Sequence, residues 1–208
     1  MAQSEPPHLI VEYRDLIEIV GRYWRAYGGM RELLGSPYVH AAIVLTTICA
    51  GYWMSAVWAD LAVSVLPNLL GFGVTGYAIW IGWGDEKLRE LLIDLEDDGK
   101  GSFYVQISSI FAHFGLVQVV ALLSAFLCKA LDYELSPRSG LAHVMTWFGQ
   151  PAYFFSHLKP VGNAVAFFLF MYAILTALET TLALFRLATW LQAERKMAKL
   201  RQQHAGHQ

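Results

Sequence analysis

The sequence predicts an all-α polytopic membrane protein with four transmembrane helices, an N-terminal amphipathic helix and helical cytoplasmic extensions. Charged residues make up only 15% of the 208 residues and hydrophobic residues 56%, a balance that favours a membrane protein over a soluble core. Residues 61–83 contain no charged side chain. At about 1.5 Å per residue this run is long enough to cross a hydrocarbon core of about 30 Å.

Four uncharged or nearly uncharged runs define the predicted transmembrane domain, residues 38–190. The predicted spans are 38–58, 61–83, 104–127 and 161–184. Only Ala59 and Asp60 separate the first two spans, so we expect them to form a tight antiparallel hairpin. An N-terminal segment, 1–37, precedes the domain, and a basic tail, 191–208, follows it.

The N-terminal segment carries an amphipathic pattern from His8 to Tyr27. Apolar and aromatic residues recur at spacings of three and four, which predicts one stripe of an α-helix. The stripe is Ile10, Tyr13, Ile17, Val20, Trp24 and Tyr27. Arg22 and Arg25 lie off it, so the helix could rest at the headgroup boundary and bind anionic lipid. Packing against another subunit is the alternative, and we favour the lipid interpretation.

The second span contains residues that are unusual in a simple anchor. Pro67 lacks a backbone donor and predicts a kink or the end of the first helical turn. Gly71, Gly73 and Gly76 place small residues at helical spacing, where another helix can approach closely. The alternative is that glycine is simply common in membrane helices.

Two connections have distinct compositions. Residues 85–98 are acidic with leucines on one face, which predicts a cytoplasmic helix that continues from the second span. Its Asp94, Asp97 and Asp98 are candidate docking residues for a partner, and an ordinary solvated helix face is the alternative. Residues 130–160 are rich in aromatic residues but interrupted by glycine and proline, which predicts a periplasmic re-entrant or interfacial segment.

The distribution of Lys and Arg predicts the orientation in a bacterial inner membrane. Twelve of these residues fall in the N-terminal segment, the second-to-third connection and residues 185–208, and three fall in the remaining connections. The positive-inside rule therefore places both termini in the cytoplasm. Arg195, Lys196 and Lys199 of the tail are further candidates for lipid or partner docking.

Three polar residues inside the predicted spans are candidates for a pore or a polar cavity. A carboxylate in hydrocarbon is costly, so Glu179 is expected to face an interior; a shallow position paired with Arg186 or Lys87 is the alternative. His113 is a candidate proton site or pore residue, or else it makes an interhelical hydrogen bond. Asn163 near the start of the fourth span completes the set.

The sequence gives no support for an enzyme. Motifs such as HExxH, GxSxG and a phosphate-binding loop are missing, and GFGVTG in the second span lacks the strand that a dinucleotide fingerprint requires. Cys49 and Cys128 both lie in apolar runs, which favours neither a disulfide nor a zinc site. We therefore expect no catalytic residues, no cofactor, no metal and no direct nucleic-acid binding.

The tight first hairpin, the second span with its Pro-Asn-Leu-Leu-Gly-Phe stretch at residues 67–72 and the two further spans resemble small four-span membrane proteins of bacterial anti-phage defence systems. The membrane component of the Kiwa system is the example. The resemblance covers residues 38–190 through topology and size, and it carries over no residue role. It implies an oligomeric sensor or scaffold that works with a cytoplasmic partner protein.

Two classes of function therefore compete. In the first, the chain is a homo-oligomeric sensor or scaffold whose cytoplasmic segments dock a soluble partner. In the second, a homo-oligomer forms an ion channel or small-solute transporter lined by the intramembrane polar residues. An internal inverted repeat would favour transport, but spans one and two do not resemble spans three and four.

Overall fold

The computed structural model describes residues 8–55, 57–82, 90, 92–93, 96–97, 101–132 and 151–205. This part of the chain is helical except for one short β pair. Its longer elements are α1 (His8–Tyr27), α2 (Gly29–Gly35), α3 (Pro37–Ile48), α4 (Ala50–Trp53), α5 (Val57–Gly82), β1 (Glu96–Asp97), β2 (Gly101–Ser102), α6 (Phe103–Asp132) and α7 (Pro151–Ala205). The two strands pair antiparallel, with Glu96 opposite Ser102.

Three helices are long and apolar enough to cross a membrane. The apolar stretches are Val57–Gly82 in α5, Phe103–Ala130 in α6 and Lys159–Ala193 in α7. They confirm the predicted second, third and fourth spans as membrane-length helices. α6 packs against both α5 and α7, so it occupies the middle of the bundle.

The first predicted span, residues 38–58, is not one continuous helix. α3 is 12 residues long, about 18 Å at the rise of an α-helix, and α4 follows after Cys49. The Trp53 indole donates a hydrogen bond to the Thr46 carbonyl oxygen at 2.8 Å. This carbonyl lies where the helical pattern is interrupted, so the indole supplies a donor that stabilises the break.

α5 continues through Pro67 without ending, so of the two outcomes predicted for this residue, a kink or the end of the first turn, the second does not occur. Proline removes one backbone donor from the helix. On the next residue, the Asn68 side-chain amide donates to the Ser64 carbonyl oxygen at 2.9 Å. This additional hydrogen bond supports the turn that contains the proline.

The two connections also differ from the predictions. Residues 83–89 and most of the predicted acidic helix lie outside the described residues, but Glu96–Asp97 form a strand and not the end of a helix. Leu92 packs back onto α6 and α7 and is 2% exposed, because its apolar side chain finds an apolar cluster there. It therefore does not project into water.

The aromatic connection, predicted as a re-entrant or interfacial segment over 130–160, is partly helical. α7 begins at Pro151, earlier than the predicted start at 161, and continues through Pro160. Residues 133–150 lie outside the described part. At the other end α7 runs through most of the predicted tail to Ala205.

Contacts between helices define two ends of the bundle. At the Asp60 end, the Lys129 ammonium lies 2.6 Å from the Asp60 carboxylate and joins α5 to α6. At the Trp80 end, the Trp80 indole stacks on Tyr104 with a centroid distance of 5.6 Å and donates to the Ser108 hydroxyl at 3.4 Å. α5 and α6 therefore lie side by side, with Asp60 level with Lys129 and Trp80 level with Tyr104.

The core near the Asp60 end is closely packed. Trp58 is fully buried and packs edge-on against Phe167 at 5.4 Å between centroids, and Phe170 lies beside both rings. Buried alanines such as Ala62 and Ala121 allow the helices to approach around these rings. A smaller apolar cluster at the Trp80 end contains Leu92 and its neighbours.

Candidate functional site

The most specific polar feature is a hydrogen-bonded cluster around His113 of α6. The Tyr23 hydroxyl of α1 lies 2.7 Å from His113 Nδ1, and the Tyr172 hydroxyl of α7 lies 2.7 Å from Nε2. The Tyr27 ring stacks on the imidazole with 4.0 Å between centroids. We call these four side chains the His113 clamp, because they join three helices and leave His113 only 5% exposed.

The clamp satisfies both ring nitrogens of a neutral imidazole. One nitrogen must donate and the other must accept, whereas each tyrosine hydroxyl can do either. Burial raises the pKa of Tyr23 and of Tyr27 to about 12, so both hydroxyls remain protonated at neutral pH. The two hydrogen bonds therefore run in one of two directions. Either Tyr23 donates to Nδ1 and Nε2 donates to Tyr172, or Tyr172 donates to Nε2 and Nδ1 donates to Tyr23.

The turn between α1 and α2 positions the clamp. Gly28 and Gly29 have positive φ angles of 105° and 67°, a conformation that side chains other than glycine rarely adopt. α1 therefore ends at Tyr27, and α2 begins at Gly29.

A cavity of about 820 Å³ lies beside the clamp, between the segment α1 to α3 and the helices α6 and α7. Its charged lining residues are Arg31 and Glu32 of α2, and Glu179 and Arg186 of α7. Tyr27 also lines it, so the cavity adjoins the clamp. No ion pair joins Glu179 to Arg186 among the described residues, although both line the same space.

The depth of the cavity follows from helix lengths. A hydrocarbon core of about 30 Å corresponds to about 20 helical residues. Counted from the Asp60 end, this distance ends near Trp80 in α5, Ser109 in α6 and Glu179 in α7. The observed contact between Trp80 and Ser108 agrees with this count. By this count Glu179 lies about one hydrocarbon thickness along α7 from the Asp60 end, at the level of the bundle where the cavity lies.

Most of α1 makes little contact with the bundle. Tyr13, Ile17 and Val20 of the predicted apolar stripe are 67%, 70% and 52% exposed. Arg22 lies 3.9 Å from Glu18 on the same helix. The contact between α1 and α6 is made by the C-terminal turn of α1, where the clamp residues lie.

The three candidate pore residues are not brought together. Glu179 and His113 belong to the cavity and the adjoining clamp. Asn163 lies near the Asp60 end, where it is 3% exposed and its side-chain nitrogen has no hydrogen-bond partner in the described part of the chain. Phe167 and Phe170 lie between Asn163 and the clamp along α7 and fill the core there.

Gly71, Gly73 and Gly76, the small residues predicted to admit a neighbouring helix, face in two directions. A Cβ atom added to Gly73 would overlap the Phe114 ring of α6, and one added to Gly76 would lie 3.5 Å from Phe111. These two glycines therefore allow α5 and α6 to pack closely. Gly71 has open space around it.

The candidate docking residues are distributed along the chain ends and the second connection. Arg22 and Arg25 are exposed on α1, and Lys196 is exposed on α7. Arg195 and Lys199 also belong to α7, and Asp97 belongs to β1. Asp94 and Asp98 lie outside the described residues.

Sequence reasoning missed several residues of the site. Tyr23 is next to Trp24 of the predicted stripe, and Tyr172 lies within the predicted fourth span. Arg31 and Glu32 lie in the N-terminal segment, and the sequence predicts no role for any of these four residues. A tyrosine in a membrane span needs a partner for its hydroxyl, and this requirement was the available signal for Tyr172.

Comparisons with protein-family models, with curated proteins and with solved structures find no match for this chain.

Proposed function

We propose that this protein is a homo-oligomeric sensor or scaffold of a bacterial inner membrane that works with a cytoplasmic protein partner, as its resemblance to anti-phage defence membrane proteins implies. The observation that carries the proposal is the polar cavity beside the His113 clamp. Its lining residues all belong to the Trp80 half of the bundle, and the Trp58, Phe167 and Phe170 rings fill the core at the other end. A cavity open at one end suits ligand sensing better than conduction.

The cavity walls offer a way to couple ligand binding to helix position. One wall belongs to the N-terminal segment and the other to α6 and α7. A ligand that contacts both walls favours whichever position of α1 and α2 gives it more contacts. Because α1 is attached mainly through Tyr23 and Tyr27, a change at the clamp alters the position of the whole helix.

The C-terminal part of α7 supports the proposed partner docking. This helix continues for 12 residues beyond Ala193, the end of its apolar stretch, which is about 18 Å of helix. Lys196 is exposed there. A rigid basic helix and the acidic second connection together provide charges of both signs for a soluble protein.

The exposed face of α5 supports the proposed homo-oligomer. Ser64, Asn68, Gly71 and Thr75 are all exposed and recur at spacings of four, three and four. Small and polar residues on the surface of a membrane helix favour contact with another helix. Gly73 and Gly76 already face α6 of the same chain. We therefore assign the exposed face of α5 that carries Ser64 and Gly71 to contact with a neighbouring subunit.

The proposed orientation requires four crossings. α3 has 12 residues and α4 has 4, together about 24 Å of helix, and α3 packs against α7. We assign α3 and α4 to the one crossing that the three long apolar helices do not supply, which is the first in chain order. Both termini then lie on the same side, which the Lys and Arg distribution identifies as the cytoplasm.

One observation favours the alternative, an ion channel or small-solute transporter. The side-chain oxygen of Gln118 and the side-chain nitrogen of Asn163 are buried without partners among the described residues. Buried polar atoms of this kind are often satisfied by water, and water along both residues would extend the polar region towards the Asp60 end. Ion flux through proteoliposomes of the wild-type protein would favour this function over the sensor.

The partner proposal is tested by charge reversal in the second connection. We expect Asp94→Lys with Asp97→Lys to abolish recovery of a cytoplasmic protein that co-purifies with the wild type, because complementary charges direct such docking. The matched control is Asp15→Lys with Glu18→Lys on α1. Recovery is measured by affinity purification and mass spectrometry, with assembly size in detergent checked in parallel. Equal recovery by both double variants would contradict the proposal.

A further inference from the structure

The face by which α1 contacts the bundle extends well beyond that contact. Leu16, Val20, Tyr23 and Tyr27 follow one another at spacings of four, three and four, so they lie on one face of the helix. Tyr23 and Tyr27 contact His113 at the C-terminal end of this face. Leu16 and Val20 continue it towards the N-terminus, but both side chains are more than half exposed. An established interface therefore continues into an uncovered apolar surface.

The uncovered part of α1 is apolar on one half and charged on the other. At 3.6 residues per turn, the exposed apolar side chains fall within one half of the helix circumference: Tyr13, Leu16, Ile17, Ile19 and Val20. The opposite half carries the charged side chains Arg14, Asp15, Glu18, Arg22 and Arg25. Glu12 lies at the boundary between the two halves.

The charges of α1 are balanced in sign. Three arginines stand against Glu12, Asp15 and Glu18, and Arg22 lies 3.9 Å from Glu18. Net charge therefore gives α1 little attraction to a strongly acidic or basic surface. Removal of the apolar half from water is the larger favourable contribution that a partner surface can supply.

The His113 clamp fixes the level at which α1 meets the bundle. Lys129 lies at the Asp60 end of α6, and His113 lies about 24 Å along the helix from it. This distance is about 6 Å less than a hydrocarbon thickness of about 30 Å. In a bilayer whose hydrocarbon core begins at the Asp60 end, the clamp therefore lies just inside the other boundary. Val20 is only about 5 Å along α1 from Tyr23, so it lies near that boundary whichever way α1 points.

A bilayer surface satisfies both halves of α1 at this level. Charged side chains are costly in hydrocarbon, whereas apolar side chains are stabilised there. Both conditions are met when the helix lies along the surface with its charged half towards water. Interfacial helices place their apolar face about 5–10 Å into the boundary between headgroups and acyl chains, which agrees with the level of His113.

We propose that α1 lies in the bilayer interface at the Trp80 end of the bundle, with its apolar half among acyl chains and its charged half towards water. The inference deepens the proposed function, on which it rests, by naming the bilayer surface as what the N-terminal arm of the sensor contacts. Interfacial helices respond to membrane curvature and lipid composition. Because the clamp joins α1 to α6 and α7, a lipid change that moves α1 also acts on the clamp.

Spin-label accessibility in proteoliposomes of the full-length protein tests the proposal. Single labels replace Ile17 and Val20 on the apolar half, and Asp15 and Arg22 on the charged half, in a background without the native cysteines. Molecular oxygen concentrates in hydrocarbon, whereas a nickel chelate stays in water. We expect oxygen collisions to dominate at Ile17 and Val20 and nickel collisions to dominate at Asp15 and Arg22. A label at Phe72, exposed on α5, is the hydrocarbon reference.

The other occupants of this face give different results, and each would overturn the proposal. Dominant nickel collisions at Ile17 and Val20 would place the apolar half in water. Low collision rates with both reagents, together with dipolar broadening between labels, would assign the face to a second copy of the chain. Low rates without broadening would assign it to another part of the same chain.

A double substitution tests whether the apolar half holds α1 in the interface. Ile17→Asp with Val20→Asp should raise the nickel collision rate of a label at Leu16, because two carboxylates oppose insertion. The matched control, Asp15→Asn with Glu18→Gln, alters the same number of side chains on the charged half and should leave the label at Leu16 unchanged. An unchanged label in the first variant would overturn the proposal.

Lipid composition separates acyl contact from attraction to headgroup charge. We expect the same accessibility pattern in vesicles of phosphatidylcholine alone and in vesicles that also contain phosphatidylglycerol, because the charges of α1 are balanced. Insertion only with phosphatidylglycerol would overturn acyl contact as its cause. All these measurements omit the cytoplasmic partner, so their failure is distinguishable from failure of the partner-capture experiment.

Discussion

Replacing His113 with leucine is expected to release α1 from the bundle and to lower the melting temperature by about 6–12 °C. The substitution removes both hydrogen bonds of the buried imidazole, to the hydroxyls of Tyr23 and Tyr172. We expect a loss of about 3 kcal/mol, and for a chain of this size each kcal/mol corresponds to about 2–4 °C. Thermal unfolding in detergent measures the shift.

The position of α1 is measured separately with two spin labels. One label is placed at Ile17 on α1 and the other at Phe72 on α5, both of which are exposed. The distance distribution should broaden in His113→Leu. The matched control, His40→Leu, replaces an exposed histidine and should change neither the distribution nor the melting temperature. A narrow, unchanged distribution in His113→Leu would contradict the role of the clamp.

Replacing Gly73 with leucine is expected to separate α5 from α6. Even a Cβ atom at this position overlaps the buried Phe114 ring, so the larger side chain cannot be accommodated without movement of a helix. Overpacking of this kind costs about 1–3 kcal/mol and sometimes more, and we expect the upper end of that range. Size-exclusion chromatography and thermal unfolding in detergent provide the measurement.

Two further variants make this result specific. Gly71→Leu adds the same side chain two residues away, where the space is open, and should leave the melting temperature of the protomer nearly unchanged. Phe114→Ala should restore stability to Gly73→Leu, because it removes the overlapping ring, and the two substitutions should couple by about 1 kcal/mol or more. Additive losses would show that the overlap is not the cause.

The long apolar helices were predictable because each contains a continuous uncharged run. The predictions over 61–83, 104–127 and 161–184 required only length and composition. The break at Cys49 was not predictable in this way, because Trp53 stabilises it through a hydrogen bond to the Thr46 carbonyl that composition does not encode. A local hydrogen bond of one side chain therefore accompanies the end of this helix.

The candidate site was only partly predictable for a related reason. His113 and Glu179 were recognisable as polar residues within apolar runs. The residues near them, however, come from segments distant in the sequence: Tyr23 is 90 residues from His113, and Arg31 of α2 lines the same cavity as Glu179 of α7. A single sequence gives no measure of such pairings.

The most direct test of the account is the accessibility of single cysteines to a membrane-impermeant thiol reagent from each side of the membrane. In a background without the two native cysteines, Glu179→Cys should react only from the side that holds both termini, because the cavity opens there. Asn163→Cys should react from neither side, because aromatic rings close the core beside it. Reaction of Asn163→Cys, or reaction of Glu179→Cys from the side opposite the termini, would contradict a cavity open at one end.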